Sequence, residues 1–152
     1  MKIEISSSAI GNDGAIPEKY TCDGESINPP LVFANIPREA KSLALIMEDP
    51  DVPRTIRMDG IWDHWIVWNI PPDTAIIEDG VPPSGIFGMN TNGEIGYAPP
   101  CPPDGTHRYI FKLFALKQML ALPEGANKQE LLASMEGKIL DQAELIGTYY
   151  RQ

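Results

Sequence analysis

A chain of 152 residues fits a single domain, expected to span 1–152, and is long enough to bury a sizeable core. The formal charge of −9 excludes the basic face that a general nucleic-acid binder needs to displace counterions, so no nucleic acid is expected as a partner. The opening MKIEISSSAI lacks the run of about 7 to 15 apolar residues of a signal peptide, and nothing approaches the roughly 18 needed for a transmembrane segment, so a cytoplasmic protein is expected.

Fifteen prolines and thirteen glycines cluster in NPPL, DPDVP, IPPD, VPPSG and APPCPPDG, where they punctuate strands and disfavour long helices. Between them lie short β-rich runs, in chain order Ile3–Ile5, Leu31–Ile36, Ser42–Glu48, Trp65–Ile70 and Tyr109–Leu116. This pattern predicts a mainly β, sandwich-like fold of two antiparallel sheets in a Greek-key arrangement, with short peripheral helices. Trp62, Trp65 and Trp68 are expected in the core. In the extended segment HRYIFKLFAL, alternation puts His107, Tyr109, Phe111, Leu113 and Ala115 on one face and Arg108 on the other.

One helix follows. In ANKQELLASMEGKIL, Asn127 is the expected N-cap, Glu130 completes a capping box, and Leu131, Leu132, Met135 and Ile139 recur near helical spacing. Residues Asp141–Glu144 are expected to extend this helix or open a second one before LIGTYY returns to a strand. The Val81–Met89 loop either joins subunits, as a homodimer would need, or covers the core. Cys22 and Cys101 have neither zinc-ribbon nor CxxC spacing; buried thiols are the favoured reading, with a disulfide open.

Asp49 ends one strand, and His64 and His107 begin two others beside proline-rich loops. Taken alone, Asp49 or Asp51 caps a turn and His64 is a satisfied core histidine. Taken together, the three positions can meet at one rim of a sandwich, where two imidazoles, the Tyr109 hydroxyl and loop amides offer donors to a small anion such as phosphate. An aspartate beside a histidine fixes its orientation and favours its charged form. Metal binding by His64, His107 and Asp49 is the weaker alternative, for want of HxH or HExxH spacing. No GxSxG, GxxxxGK[ST] or GxGxxG occurs, so nucleophile-elbow, ATPase and dinucleotide chemistry have no support, and no cofactor is expected.

The stretches DPDVP, WDHW and GTHRY, with YTCDGESINPPL upstream and YAPPCPPDG between, together resemble the phosphatidylethanolamine-binding protein family, which includes the Raf kinase inhibitor proteins. The likeness covers essentially the whole chain and is nearest the shorter prokaryotic branch. It implies two antiparallel sheets and a pocket for phosphate-like groups of lipid heads, nucleotides or phosphorylated side chains. Carried over by position, the pocket is lined by Asp49, Pro53, His64, His107 and Tyr109, with Tyr97 and the Pro99–Pro103 loop, including Pro102, as its wall. Arg108 becomes a structural partner of the DPD carboxylates, Asp51 among them. The chain departs from the family pattern at Ala98-Pro99, where two glycines are common, and at Asp63-His64, where animal members carry two histidines.

The functional expectation is a non-enzymatic binding module for a phosphate-containing small molecule or phosphorylated group, with regulation of a kinase or inhibition of a protease as its outcome. A hydrolase or metal-assisted enzyme built on the same His/Asp rim is the alternative.

Overall fold

A computed structural model describes residues 1–151. Its centre is a six-stranded sheet in which β4 (Ser42–Asp49) lies between β5 (Trp62–Ile70) and β8 (His107–Leu116). Outward from β8 come β9 (Ile139–Tyr149) and the two-residue β2 (Gly14–Ala15); outward from β5 comes β7 (Ile86–Phe87). A smaller sheet of β1 (Glu4–Ser6), β3 (Leu31–Ala34) and β6 (Ile76–Ile77) completes the β structure. All pairings are antiparallel except β2 with β9, which departs from the purely antiparallel expectation.

The central strands are buried on both faces, which is why β4 reads as an almost continuous apolar run rather than an alternating one. On one face Leu43, Leu45 and Met47 of β4 join Trp65 and Val67 of β5 and Tyr109, Phe111 and Leu113 of β8 in a core shared with Ile5, Leu31 and Phe33 of the small sheet. On the other face Ala44, Ile46, Ile66, Trp68, Phe114 and Leu116 pack beneath Leu131 and Met135 of the helix α1 (Lys128–Met135). The alternation expected for β8 is present, with His107, Tyr109, Phe111, Leu113 and Ala115 on the sandwich face.

The capping box forms as its spacing predicts: Asn127 Oδ1 accepts from the Glu130 amide at 2.9 Å, and Glu130 Oε1 accepts from the Asn127 amide at 3.1 Å. The helix is shorter than expected. It stops at Met135, and Gly137 takes a left-handed φ of 76° that turns the chain away from the helix axis. Ile139 and Asp141–Glu144, expected as helix, instead begin β9, which pairs with β8 from Ile139 opposite Leu116 to Tyr149 opposite His107. A long partner strand supplies hydrogen bonds that outweigh weak local helix preference. The Val81–Met89 segment contributes β7 to the edge beside β5.

Cys22 and Cys101 form a disulfide with Cα atoms 5.5 Å apart, correcting the preference for free thiols. The fold brings together two loops that lie 79 residues apart in sequence, a proximity that spacing alone does not reveal. No helix among the described residues is long and apolar enough to cross a membrane.

Candidate functional site

Three strand ends converge at one rim of the sandwich. Asp49 is the last residue of β4, His64 the third of β5, and His107 the first of β8. All are buried, with relative exposures of 3%, 5% and 2%. Asp49 has two roles at once. Its Oδ1 accepts from the Asp51 amide at 2.8 Å, the turn-capping bond expected of an Asp-Pro corner, while its Oδ2 lies 2.6 Å from His107 Nδ1. On the other side of that ring, Nε2 lies 3.3 Å from Asp104 Oδ1. Burial works against a charge on His107, but the hydrogen bond and charge of Asp49, seconded by Asp104, prevail and hold its pKa above the ordinary histidine value.

His64 reaches the same face through a bulge. Met47 pairs with Trp65 but Glu48 pairs with Asp63, so His64 is the extra residue on β5. The bulge turns both His64 and Trp65 toward the sandwich side and sends Asp63 to the helix side. His64 Nδ1 lies 2.8 Å from the Ala98 carbonyl, which can only accept, so Nδ1 carries the proton. Burial pushes the His64 pKa down, so in the neutral ring Nε2 is an acceptor. Its ring meets Tyr109 edge-on, centroids 5.3 Å apart.

A cavity of about 250 Å³ opens beside these groups, lined on its polar side by Asp49, His64 and Tyr109. Tyr109 is wholly buried, and its hydroxyl has no hydrogen-bond partner among the described residues. Burial also drives the Tyr109 pKa upward, so this hydroxyl stays protonated and available as a donor. Val52, Ile56, Trp62 and the proline run supply the apolar lining, with Asn92 at the edge. Trp62, expected in the core, is half-exposed here and donates to Asn92 Oδ1 at 2.7 Å, whereas Trp65 and Trp68 are core residues.

The structure sorts the expected residues into three groups. Asp49, His64, Tyr109 and Pro102 line the cavity. His107 stands behind Asp49 with both ring nitrogens engaged by carboxylates. Pro53 is also displaced from the lining: its carbonyl accepts from Ile56 and Arg57, forming the turn that presents Val52 and Ile56 instead. Tyr97 points elsewhere, donating to the Tyr20 carbonyl at 2.8 Å and packing edge-on against Trp65. Arg108 faces away and clamps Asp51 through Nε and Nη2, both at 2.9 Å. Among the described residues, no group of three or more His, Cys, Asp or Glu side chains is gathered as metal ligands.

Cys101 belongs to the Pro99–Pro103 wall that the sequence points to, whereas Val52, Ile56 and Asn92 are lining residues that it does not single out. For Val52 and Ile56 the available signal is apolar side chains in a short loop beside Asp49, which must cover something; nothing comparable marks Asn92.

The phosphatidylethanolamine-binding protein family model matches residues 6–150. The chain is 52% identical over 147 residues to a UPF0098 protein of Chlamydia muridarum, covering 97% of this chain and 98% of that one. A second UPF0098 protein, from Methanothermobacter thermautotrophicus, is 46% identical and covers 98% and 99% of the two chains. Among solved structures, a putative phosphatidylethanolamine-binding protein homologue from Chlamydia trachomatis superposes with a TM-score of 0.97 at 49% identity, covering 99% of each chain. YbcL of Escherichia coli, described as a member of the mammalian PEBP family, shares the fold with a TM-score of 0.88 at 24% identity, covering 100% of each chain. The chain therefore belongs to the phosphatidylethanolamine-binding protein family.

Proposed function

We propose that the protein is a non-enzymatic binding module whose rim pocket takes a phosphate-type anion, either a small molecule or a phosphorylated group on a partner. The observation that carries this reading is the Tyr109 hydroxyl, buried at the cavity and without a partner. An unmet buried donor costs about 1–3 kcal/mol, and a ligand oxygen would recover that cost. His64 Nε2 faces the same ligand and becomes a second donor on taking up a proton, while Asp49 holds the rim through His107. Regulation of a kinase or inhibition of a protease would then act through a phosphorylated or anionic segment placed in this pocket.

The test is titration with inorganic phosphate and O-phosphorylethanolamine, followed by calorimetry and by NMR of the histidine ring protons. Wild-type protein should give heat and shift the His64 ring, and Tyr109→Phe should weaken the heat while leaving the fold intact. Equal affinity in the variant would remove the pocket assignment. The same samples, incubated with a phosphomonoester, address the hydrolase alternative, since steady release of phosphate would replace the binding reading with an enzymatic one.

A further inference from the structure

The proline run that walls the pocket is held in an unusual way. Pro99, Pro100, Pro102 and Pro103 have no backbone N–H, so the five residues 99–103 have a single amide donor among them, that of Cys101. Among the described residues, the run makes one hydrogen bond, in which the Pro100 carbonyl accepts from the Cys22 amide at 3.1 Å. The covalent tie goes to that same residue, through Cys101. Cys22 is itself anchored by its neighbour Asp23, which takes the Tyr149 hydroxyl at 2.6 Å and Arg151 at 3.0 Å. The fixed side of this junction is therefore the C-terminal end of β9, and the suspended side is the pocket wall.

Cys101 lines the cavity and is exposed, while Cys22 is half-buried. Pro103 lines the cavity on one side and, on the other, a larger groove of about 850 Å³ bounded by Asp23, Thr106, Tyr149 and Arg151. One thin partition thus separates two spaces, and its attachment is a bond that a reductant in solution can reach.

We propose that Cys22–Cys101 is a thiol–disulfide exchange site that sets the affinity of the rim pocket, high when oxidised and low when reduced. The proposal rests on the anion-pocket reading above. The co-reactant is a dithiol. One of its thiolates attacks the Sγ of Cys101, the more exposed residue of the pair, the S–S bond breaks, and Cys22 leaves as a thiolate and takes up a proton. The second thiol of the reductant then displaces Cys101 and becomes a cyclic disulfide. Two electrons and two protons pass to the protein, and the partition keeps its hydrogen bond to the Cys22 amide and the packing of the buried Pro100 and Pro102 but loses its covalent tie. A ligand must then order the wall as it binds, which weakens affinity without removing any contact.

The experiment measures phosphate affinity by calorimetry for oxidised protein, protein reduced with dithiothreitol, reoxidised protein and Cys22→Ser, each paired with amide hydrogen exchange. Reduction should weaken binding by about tenfold, reoxidation should restore it, and Cys22→Ser should match the reduced protein whatever the reductant. Exchange at the Cys22 amide should rise on reduction, while β4 and β8 amides stay protected. Equal affinity in both redox states overturns the proposal, and so does global loss of protection on reduction, which would make the bond a staple of the whole fold. If oxidised protein binds no phosphate, the pocket reading fails separately. The exchange data then still decide the gate, since an unchanged Cys22 amide shows a wall that reduction does not release.

Discussion

Two clusters of buried charge sit back to back across one end of the central sheet, built from neighbouring residues. Glu48 and Asp63 face α1; Asp49 and His64 face the rim. On the helix side Lys128 Nζ lies 2.8 Å from Asp63 and 3.4 Å from Glu48, and Lys112 adds a further contact to Glu48 at 3.4 Å. Burial opposes the Lys128 charge, but the hydrogen bonds and charges of Asp63 and Glu48 raise its pKa above the ordinary lysine value. That cluster is balanced in charge: two cations answer two carboxylates, and the buried Asp63 Oδ1, which has no hydrogen bond of good geometry among the described residues, has the Lys128 ammonium 2.8 Å away. The rim cluster is open, since the Tyr109 hydroxyl has no partner among the described residues and Asp49, His64 and Tyr109 line a cavity. Ionisable residues thus serve stability on one face and border a cavity on the other, and what separates the two is the pairing of opposite charges rather than composition.

Breaking the charge-balanced side should produce the largest effect. Lys128→Met leaves two buried carboxylates facing each other and should cost about 3–5 kcal/mol in denaturant unfolding. Combining it with Glu48→Gln and Asp63→Asn should recover most of that loss, and a triple variant as unstable as the single one would show that α1 is held by something other than charge pairing. On the open side, His107→Ala strands the Asp49 Oδ2 oxygen and should cost about 2–3 kcal/mol, together with weaker phosphate binding. Undiminished stability there would mean that Asp49 finds another donor.

Tyr109→Phe sharpens the contrast, because it removes a polar atom that already lacks a partner. Thermal unfolding should be unchanged or slightly higher, within about 1 kcal/mol, while phosphate affinity falls by roughly five- to tenfold. A clear loss of stability would show the hydroxyl to be satisfied in the free protein.

The smallest effects are in pH. The folded-state pKa of His64 is depressed, so its contribution to stability is present above about 6.5 and is lost as pH falls through the folded value. That of His107 is raised, so its contribution is full below about 6.5 and is lost as pH rises through the folded value. The two windows lie on opposite sides of about 6.5, so wild-type stability should peak near that pH and decline on either side. His64→Gln should remove the acid-side loss and leave stability that declines only as pH rises. Sulfate, whose charge is constant over this range, should bind more tightly as pH falls from about 8 to 6, because proton uptake makes His64 a donor. A sulfate affinity independent of pH would place the anion elsewhere.

Much of this was legible in the chain. The apolar runs placed β4, β5 and β8 to within a few residues, because strands buried on both faces, as β4 and β5 are, must be apolar over nearly their whole length. Strict alternation fixed the facing of β8, and with it the opposite directions of Tyr109 and Arg108. The capping box at Asn127 was equally local, since its bonds join residues three apart.

What the sequence could not fix is what depends on distant partners. Ile139 and Asp141–Glu144 have modest helix preference and become strand because β8 offers a ladder. His64 and Trp65, which a regular strand would put on opposite faces, share one because β4 pairs past a bulge. Cys22 meets Cys101, and Tyr97 turns from the expected pocket wall to the Tyr20 carbonyl, because loops remote in sequence are packed together. Local chemistry, set by bonds and periodicity along the chain, determined which residues could act. Only tertiary packing determined which of their polar groups were satisfied, because a hydrogen-bond partner for a buried group is supplied by whichever segment the fold lays against it.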